Sequence, residues 1–442
     1  MRKLLLAAMA SMGALFATTN GAKAQPVKPV APGTVVVHLN GYLQFEVADF
    51  GSTYNTYTTS AGTSKLSPVT TDGEFRLYPG FDAQTLNGIE YGVQAEIRTA
   101  FSDAGVGQNG GKSTYTSTTG TSSLDSLYVR RAYGYIGTRQ AGYLRFGQTD
   151  GAFELLQNGI ISAYGDGYGW KSDGGTGTLL PTYASPGATI IYADQVSLYA
   201  TDKLVLISPK FNGFSAAFSY EPNSNGLNEG YMNNATASST SAALSSSPSA
   251  SDIGRRRKNT IDGMVQYSLA THGVEAKVSG GIIYGAPVAY DGSAAAATGA
   301  LKAGYDSLEI YQGGAQVTYM GLTLGANIKA GQALDNYAFK PRGARDALAY
   351  MVGGDYKIGP FVVGANYFNT QTAGTYNPTM HGKEARTLSE YGTIVGANYV
   401  VGKDMSLFLQ YMYGHRHQYG NATLPSGNAQ VQVIALGATM RW

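Results

Sequence analysis

Along most of this chain apolar and polar residues alternate one by one, in segments of about ten residues separated by stretches rich in Ser, Thr, Asn and Gly. A period of two is the mark of strands with one wet and one apolar face. From Leu39 to Val47 the odd positions read Leu39, Gly41, Leu43, Phe45 and Val47, and the even ones Asn40, Tyr42, Gln44 and Glu46. Ile89, Tyr91, Val93, Ala95 and Ile97 alternate in the same way with Glu90, Gln94, Glu96 and Arg98. So do Ile261, Gly263, Val265, Tyr267 and Leu269 with Asp262, Gln266 and Ser268.

The connections between these segments fall into two alternating length classes. Tight ones sit at Asn87-Gly88, Arg139-Gln140, Asn212-Gly213, His272-Gly273, Met320-Gly321, Gly359-Pro360 and Gly402-Lys403. Long ones fall near 51–71, 103–124, 150–194, 221–258, 286–306, 331–346, 370–388 and 418–428. Sixteen strands follow, with both chain ends on the short-turn side. An even count with short turns on one rim and long loops on the other predicts an all-β, antiparallel transmembrane barrel and fits no common soluble sandwich. Tyr311 and Tyr319, like Tyr391 and Tyr399, are eight residues apart on outward faces. At a tilt near 40° that spacing rises roughly 21 Å, close to the separation of two headgroup girdles.

Composition supports the pattern. Only 14% of the 442 residues are charged, and there are 59 Gly and 33 Tyr, a poor recipe for helices. The absence of Cys excludes disulfide scaffolds, thiolate metal sites and cysteine nucleophiles. Residues 1–24 carry Arg2 and Lys3, an apolar run from Leu4 to Ala17, and Ala22-Lys23-Ala24 in the small-x-small pattern of a cleavage site. They read as a secretory signal peptide, with the barrel in 25–442. Losing Arg2, Lys3 and Lys23 turns the formal charge of +2 slightly negative, which speaks against nucleic acid as a partner. No later run reaches the roughly 18 apolar residues of a membrane helix, so a membrane protein of this sequence has to be a closed barrel.

The last segment, Val431 to Trp442, places Ile434, Leu436, Ala438, Met440 and Trp442 outward. It resembles the C-terminal strand of bacterial outer-membrane proteins, with Trp in place of the usual terminal Phe. Val129-Arg130-Arg131-Ala132-Tyr133-Gly134-Tyr135-Ile136-Gly137, followed by Gly142-Tyr143-Leu144-Arg145-Phe146-Gly147-Gln148, is similar to the paired fourth and fifth strands of general bacterial porins. Gly41 to Val47 and the hairpin Phe81 to Ile97 resemble those of alphaproteobacterial porins in particular. The resemblance implies a homotrimer of sixteen-stranded barrels in the Gram-negative outer membrane, in contact with lipid and lipopolysaccharide, with the third extracellular loop folded inward.

Inward positions of the second to fifth strands carry Arg76, Arg98, Arg131 and Arg145, a cationic ladder up one side of a pore. Loop 150–194 carries Glu154, Asp166, Asp173 and Asp194 with Lys171 as its only base. By the resemblance, loop acids oppose wall arginines across a constriction and set up a transverse field. The bland alternative is that inward arginines pair with Glu74, Glu90 and Glu96 within a generally polar interior. Arg130 and Arg131 cannot both face the lumen without a bulge. Tyr164 to Trp170, with Tyr168 between them, forms an aromatic cluster on a Gly-rich backbone, read first as a plug anchoring the loop and second as a slide for sugar rings. His415-x-His417 puts two imidazoles on one strand face without a third ligand, so no metal is assigned. Arg255-Arg256-Arg257-Lys258 reads as a rim cluster for lipid phosphate or a neighbouring subunit, or as solvated charge.

The expectation is a porin for passive diffusion of small hydrophilic solutes and ions, with neither cofactor nor catalysis. The competitors are a sugar-selective channel, a barrel enzyme and a secreted soluble all-β adhesin. No Gly-x-Ser-x-Gly elbow or catalytic dyad supports the enzyme.

Overall fold

A computed structural model of the chain describes residues 30–53, 56–59, 62–65, 67–100, 127–170, 176, 201–223, 257–287, 306–333, 337, 339–340, 342–373, 387–418 and 427–442. The strands are β1 (Val35–Ser52), β2 (Thr56–Thr59), β3 (Gly62–Lys65), β4 (Val69–Gln84), β5 (Glu90–Ala100), β6 (Tyr128–Thr138) and β7 (Gly142–Thr149). After the single turn of helix α1 (Ala152–Leu155) come β8 (Thr201–Ile207), β9 (Phe214–Asn223), β10 (Arg257–Thr271), β11 (Val274–Pro287), β12 (Leu308–Tyr319) and β13 (Leu322–Gln332). The chain ends with β14 (Ala347–Ile358), β15 (Phe361–Ala373), β16 (Thr387–Val400), β17 (Met405–Gln418) and β18 (Gly427–Arg441).

Sixteen of these strands form one closed antiparallel barrel, β4 to β18 in order with β1 closing the seam between β18 and β4. At the seam Leu43 faces Met440 and Val47 faces Leu436. β2 and β3 make a separate hairpin inside the first long connection, which the sequence pattern left undivided. All seven tight turns stand where the sequence put them. Three of them, Asn212-Gly213, His272-Gly273 and Met320-Gly321, hold both central residues at positive φ. That backbone matches the right-handed twist of the flanking strands, and glycine at the second position makes it cheap.

Alternation separates two environments. Outward side chains such as Val265, Leu324, Val352, Val395, Leu409 and Leu436 are exposed and form a continuous apolar belt around the barrel. A belt of that extent is unfavourable against water and suits lipid. Strand β8, apolar on both faces in sequence, follows the same rule, with Leu204 and Leu206 exposed outward and Val205 buried within.

The interior is not uniformly polar. Met264, Ile283, Ile310, Met351, Phe368, Ile394, Met412 and Val433 point inward from β10–β18 and pack with Phe153, Ile161, Tyr164 and Trp170 of the connection after β7. This third long loop has turned into the barrel and covers the wall. The wall beneath it therefore behaves as a core, which alternation by itself cannot distinguish from a wet lumen.

Candidate functional site

The inward loop is fastened to the wall at regular intervals. At its start Ala152 N–H donates to Ser219 Oγ (2.6 Å) and Phe153 N–H to Asp262 Oδ1 (2.9 Å). Gln266 then donates to the Leu156 carbonyl, Asn327 to that of Asn158, Asn366 to that of Ile161 and Asn398 to that of Gly165. Wall amides thus satisfy these four loop carbonyls one after another from β10 to β16, which helps to accommodate an irregular backbone inside the barrel.

The aromatic cluster is largely buried in this wall. Trp170 meets Phe368 edge-on at 4.5 Å, and its indole N–H donates to Asn366 Oδ1 at 3.1 Å. Tyr164 lies against Gly364 and Gly396, and Trp170 against Gly392. Tyr168 reaches further, its hydroxyl donating to Glu74 and its ring lying 5.1 Å from the Arg76 guanidinium. Tyr42 completes the stack, 5.6 Å from Arg76 and 5.4 Å from Arg441.

Of the loop acids singled out in the sequence, Glu154 and Asp166 lie within the described residues, and Asp166 is buried. It accepts the N–H groups of Tyr168 (2.8 Å) and Thr176 (2.9 Å) and the side-chain amide of Gln410 (3.2 Å). Its carboxylate organises the tip of the loop against β17. Glu154 accepts from Gln157. Asp173, Asp194 and Lys171 lie outside the described residues.

The wall arginines gather on β4–β6. Arg76 stands directly opposite Arg98, an arrangement that like charges tolerate only with carboxylates between them. Glu96 supplies one: it lies 3.7 Å from Arg76, 3.1 Å from Arg130 and 3.3 Å from Arg131, and it also bonds Arg98. Glu74 pairs with Arg76 at 2.7 Å and Asp150 with Arg131 at 3.0 Å. Among the described residues, these ion pairs join four guanidinium groups to three carboxylates. Arg145 stands apart, over the ring of Tyr133 at 5.2 Å and opposite Tyr135. That is four positions from Arg131 along the sheet, about 14 Å.

Arg130 joins the cluster because β6 bulges there. Glu96 pairs with Arg131 while the next residue, Ile97, pairs with Val129, so both adjacent arginines turn inward. The sequence signal was the doublet itself. A second irregularity lies in β10 between Lys258 and Ile261, beside Asn259 at φ 49°. It changes the reading of the basic run: Arg257 is buried inside, 3.3 Å from Glu221, while Lys258 faces out. Arg255 and Arg256 lie outside the described residues. His415 stacks on Tyr391 at 4.9 Å and His417 bonds Asn428. No group of three His, Cys, Asp or Glu able to hold a metal occurs among the described residues.

A closed barrel with an apolar outer belt, a long loop bent into its lumen and a charged inner wall defines a transmembrane channel of the bacterial outer membrane. The chain belongs to the Gram-negative porin family, whose model matches residues 7–418, and its function is that of an outer-membrane channel for passive diffusion of solutes. Among solved structures it is similar to an anion-selective porin from Comamonas acidovorans, at 15% identity and a TM-score of 0.53, covering 92% of this chain and 100% of that one. It is also similar to OmpF of Salmonella typhi, solved as a complex with daunomycin, at 12% identity and a TM-score of 0.52, covering 92% and 97%. At such identities the likeness is one of fold. No curated protein matches the chain by sequence.

Proposed function

We propose that small hydrophilic solutes and ions are filtered at a constriction between the inward loop and the β4–β7 wall. The observation that carries this reading is the convergence of Arg76, Arg98, Arg130 and Arg131 on Glu96 beside the loop tip, with Arg145 continuing the line. Fixed charges in a narrow passage with low-dielectric walls act on every ion that passes. On the loop side the filter comprises Glu154, Tyr168 and Asp173, with Asp166 and Trp170 holding the loop in place. The loop spans about 150–194, residues 1–24 are a cleaved signal peptide, and the mature barrel, 25–442, works as a homotrimer surrounded by lipid and lipopolysaccharide. No cofactor and no catalysis enter this function.

Replacing Arg76, Arg98, Arg131 and Arg145 by neutral residues is expected to shift ion selectivity toward cations. Reversal potentials across planar bilayers under a salt gradient measure it, and unchanged potentials would refute the arginine assignment. A sugar-selective channel is the second reading. The burial of Tyr164 and Trp170 against the wall favours an anchoring plug over a sugar slide, because rings packed on protein offer no face to a passing pyranose.

A further inference from the structure

The connection between β13 and β14 also contributes to the interior. Tyr337 and Phe339 are both fully buried, although Tyr337 adopts a φ of 55°, which a bulky residue holds only where its surroundings enforce it. Nearer the surface this connection is moored by Lys340. The ammonium lies 2.9 Å from Asp306 and 3.0 Å from Asp346, and it donates to the Ala344 carbonyl at 2.7 Å.

Tyr337 meets two other elements inside. Its hydroxyl accepts a hydrogen bond from Lys329 Nζ of β13 at 2.6 Å. The same ammonium is 5.6 Å from the centre of the Phe153 ring and 5.4 Å from that of Tyr337. The two rings meet edge-on at 6.4 Å. Phe153 belongs to α1, the first turn of the inward loop, so a wholly buried lysine touches aromatic side chains from two different connections, the Tyr337 hydroxyl on one side and the Phe153 ring on the other. An ammonium removed from water is held by the groups that face it, here a phenol oxygen that accepts its proton and an aromatic ring.

We propose that Lys329 is a positioning residue that couples the surface connection 333–346 to the inward loop, so that the seat of α1, and with it the lifetime of the open pore, depends on how that connection is moored. The inference rests on the channel reading above. It gives an event at the cell surface near Lys340 a physical route to the constriction: Lys340, then Tyr337 three residues earlier in the chain, Lys329 and Phe153.

The test is the rate at which single open channels close under voltage in planar bilayers, for the full-length protein and four variants. Lys329→Met is expected to close at least about tenfold more often than the parent. Lys329→Arg keeps a cation between the Tyr337 hydroxyl and the Phe153 ring and is expected to stay near the parent rate, and Tyr337→Phe, which keeps the ring and loses the hydroxyl, to fall between. Lys340→Ala, which loosens the outer mooring without touching α1, is expected to raise the rate in the same direction. A heat-modifiable gel shift like the parent's establishes that each barrel has folded. Parent-like closing in folded Lys329→Met or Lys340→Ala, or equal effects of the Met and Arg variants, would overturn the coupling. Should Lys329→Met not fold, Tyr337→Phe and Lys340→Ala decide. A folded parent protein that conducts nothing refutes the channel reading itself, so the two failures are distinguishable.

Discussion

Asp166 shows how one residue can be correctly singled out in a sequence and still have a local role that only its neighbours define. Burial raises its carboxyl above the ordinary range, against the backbone and side-chain hydrogen bonds that favour the anion. The folded protein therefore keeps this proton to higher pH than the unfolded chain does. The stabilising contribution is present in acid and is lost as pH rises through the folded value. As pH rises above the ordinary carboxylate value of about 4, the midpoint of heat modification is expected to fall more steeply in the parent than in Asp166→Asn, which cannot ionise. Parallel curves for the two proteins would show that the proton on Asp166 does not matter to the fold. The arginines make the complementary point. The inward direction of Arg76, Arg98 and Arg131 could be read from alternation, but not their gathering with Arg130 on Glu96, because that depends on the register of three strands and on one bulge.

At the scale of an element, the inward loop behaves as a liner. Trp170 occupies a site that glycine keeps open: a Cβ at Gly392 would lie 2.6 Å from the indole, and one at Gly364 2.1 Å from the Tyr164 ring. Trp170→Ala empties that site at a cost of about 3–5 kcal/mol. The expected result is a folded barrel with a noisier open state and wider conductance steps, seen in single-channel traces. If oligosaccharides block the parent in a saturable way and the substitution relieves the block, the sugar-slide reading replaces the plug. The aromatic cluster was visible as a sequence feature, but the apolar wall that receives it was not. Met264, Phe368, Ile394 and Met412 stand at inward positions on separate strands, and no local window connects them.

At the scale of the whole molecule, the apolar belt requires a bilayer and the chain ends meet in one seam. Gly41 and Trp442 exchange backbone hydrogen bonds there, and the Trp442 indole covers Gly41 and tilts against Phe75. Removal of the terminal tryptophan is expected to lower the yield of heat-modifiable barrel in outer-membrane fractions. The assembled protein is expected to run as a trimer in mild detergent, to insert into planar bilayers in conductance steps grouped by threes, and to begin near Gln25 by intact mass. A folded species that stays monomeric in native mass spectrometry would remove the trimer from the reading.

Sequence alone determined the number of barrel strands, the two kinds of connection, the side of the barrel on which the termini lie and which residues face lipid. All of these follow from local periodicity and turn chemistry, because a strand's two faces are distinguished within a few residues. Tertiary structure decided that part of the inner face is a hydrophobic core, that Arg130 and Arg257 turn inward, and that Lys329 sits between two loops. Those outcomes depend on which distant strands share a row and on what a long loop covers when it folds inward. Such contacts join residues far apart in the chain, and no pattern along the chain encodes them locally.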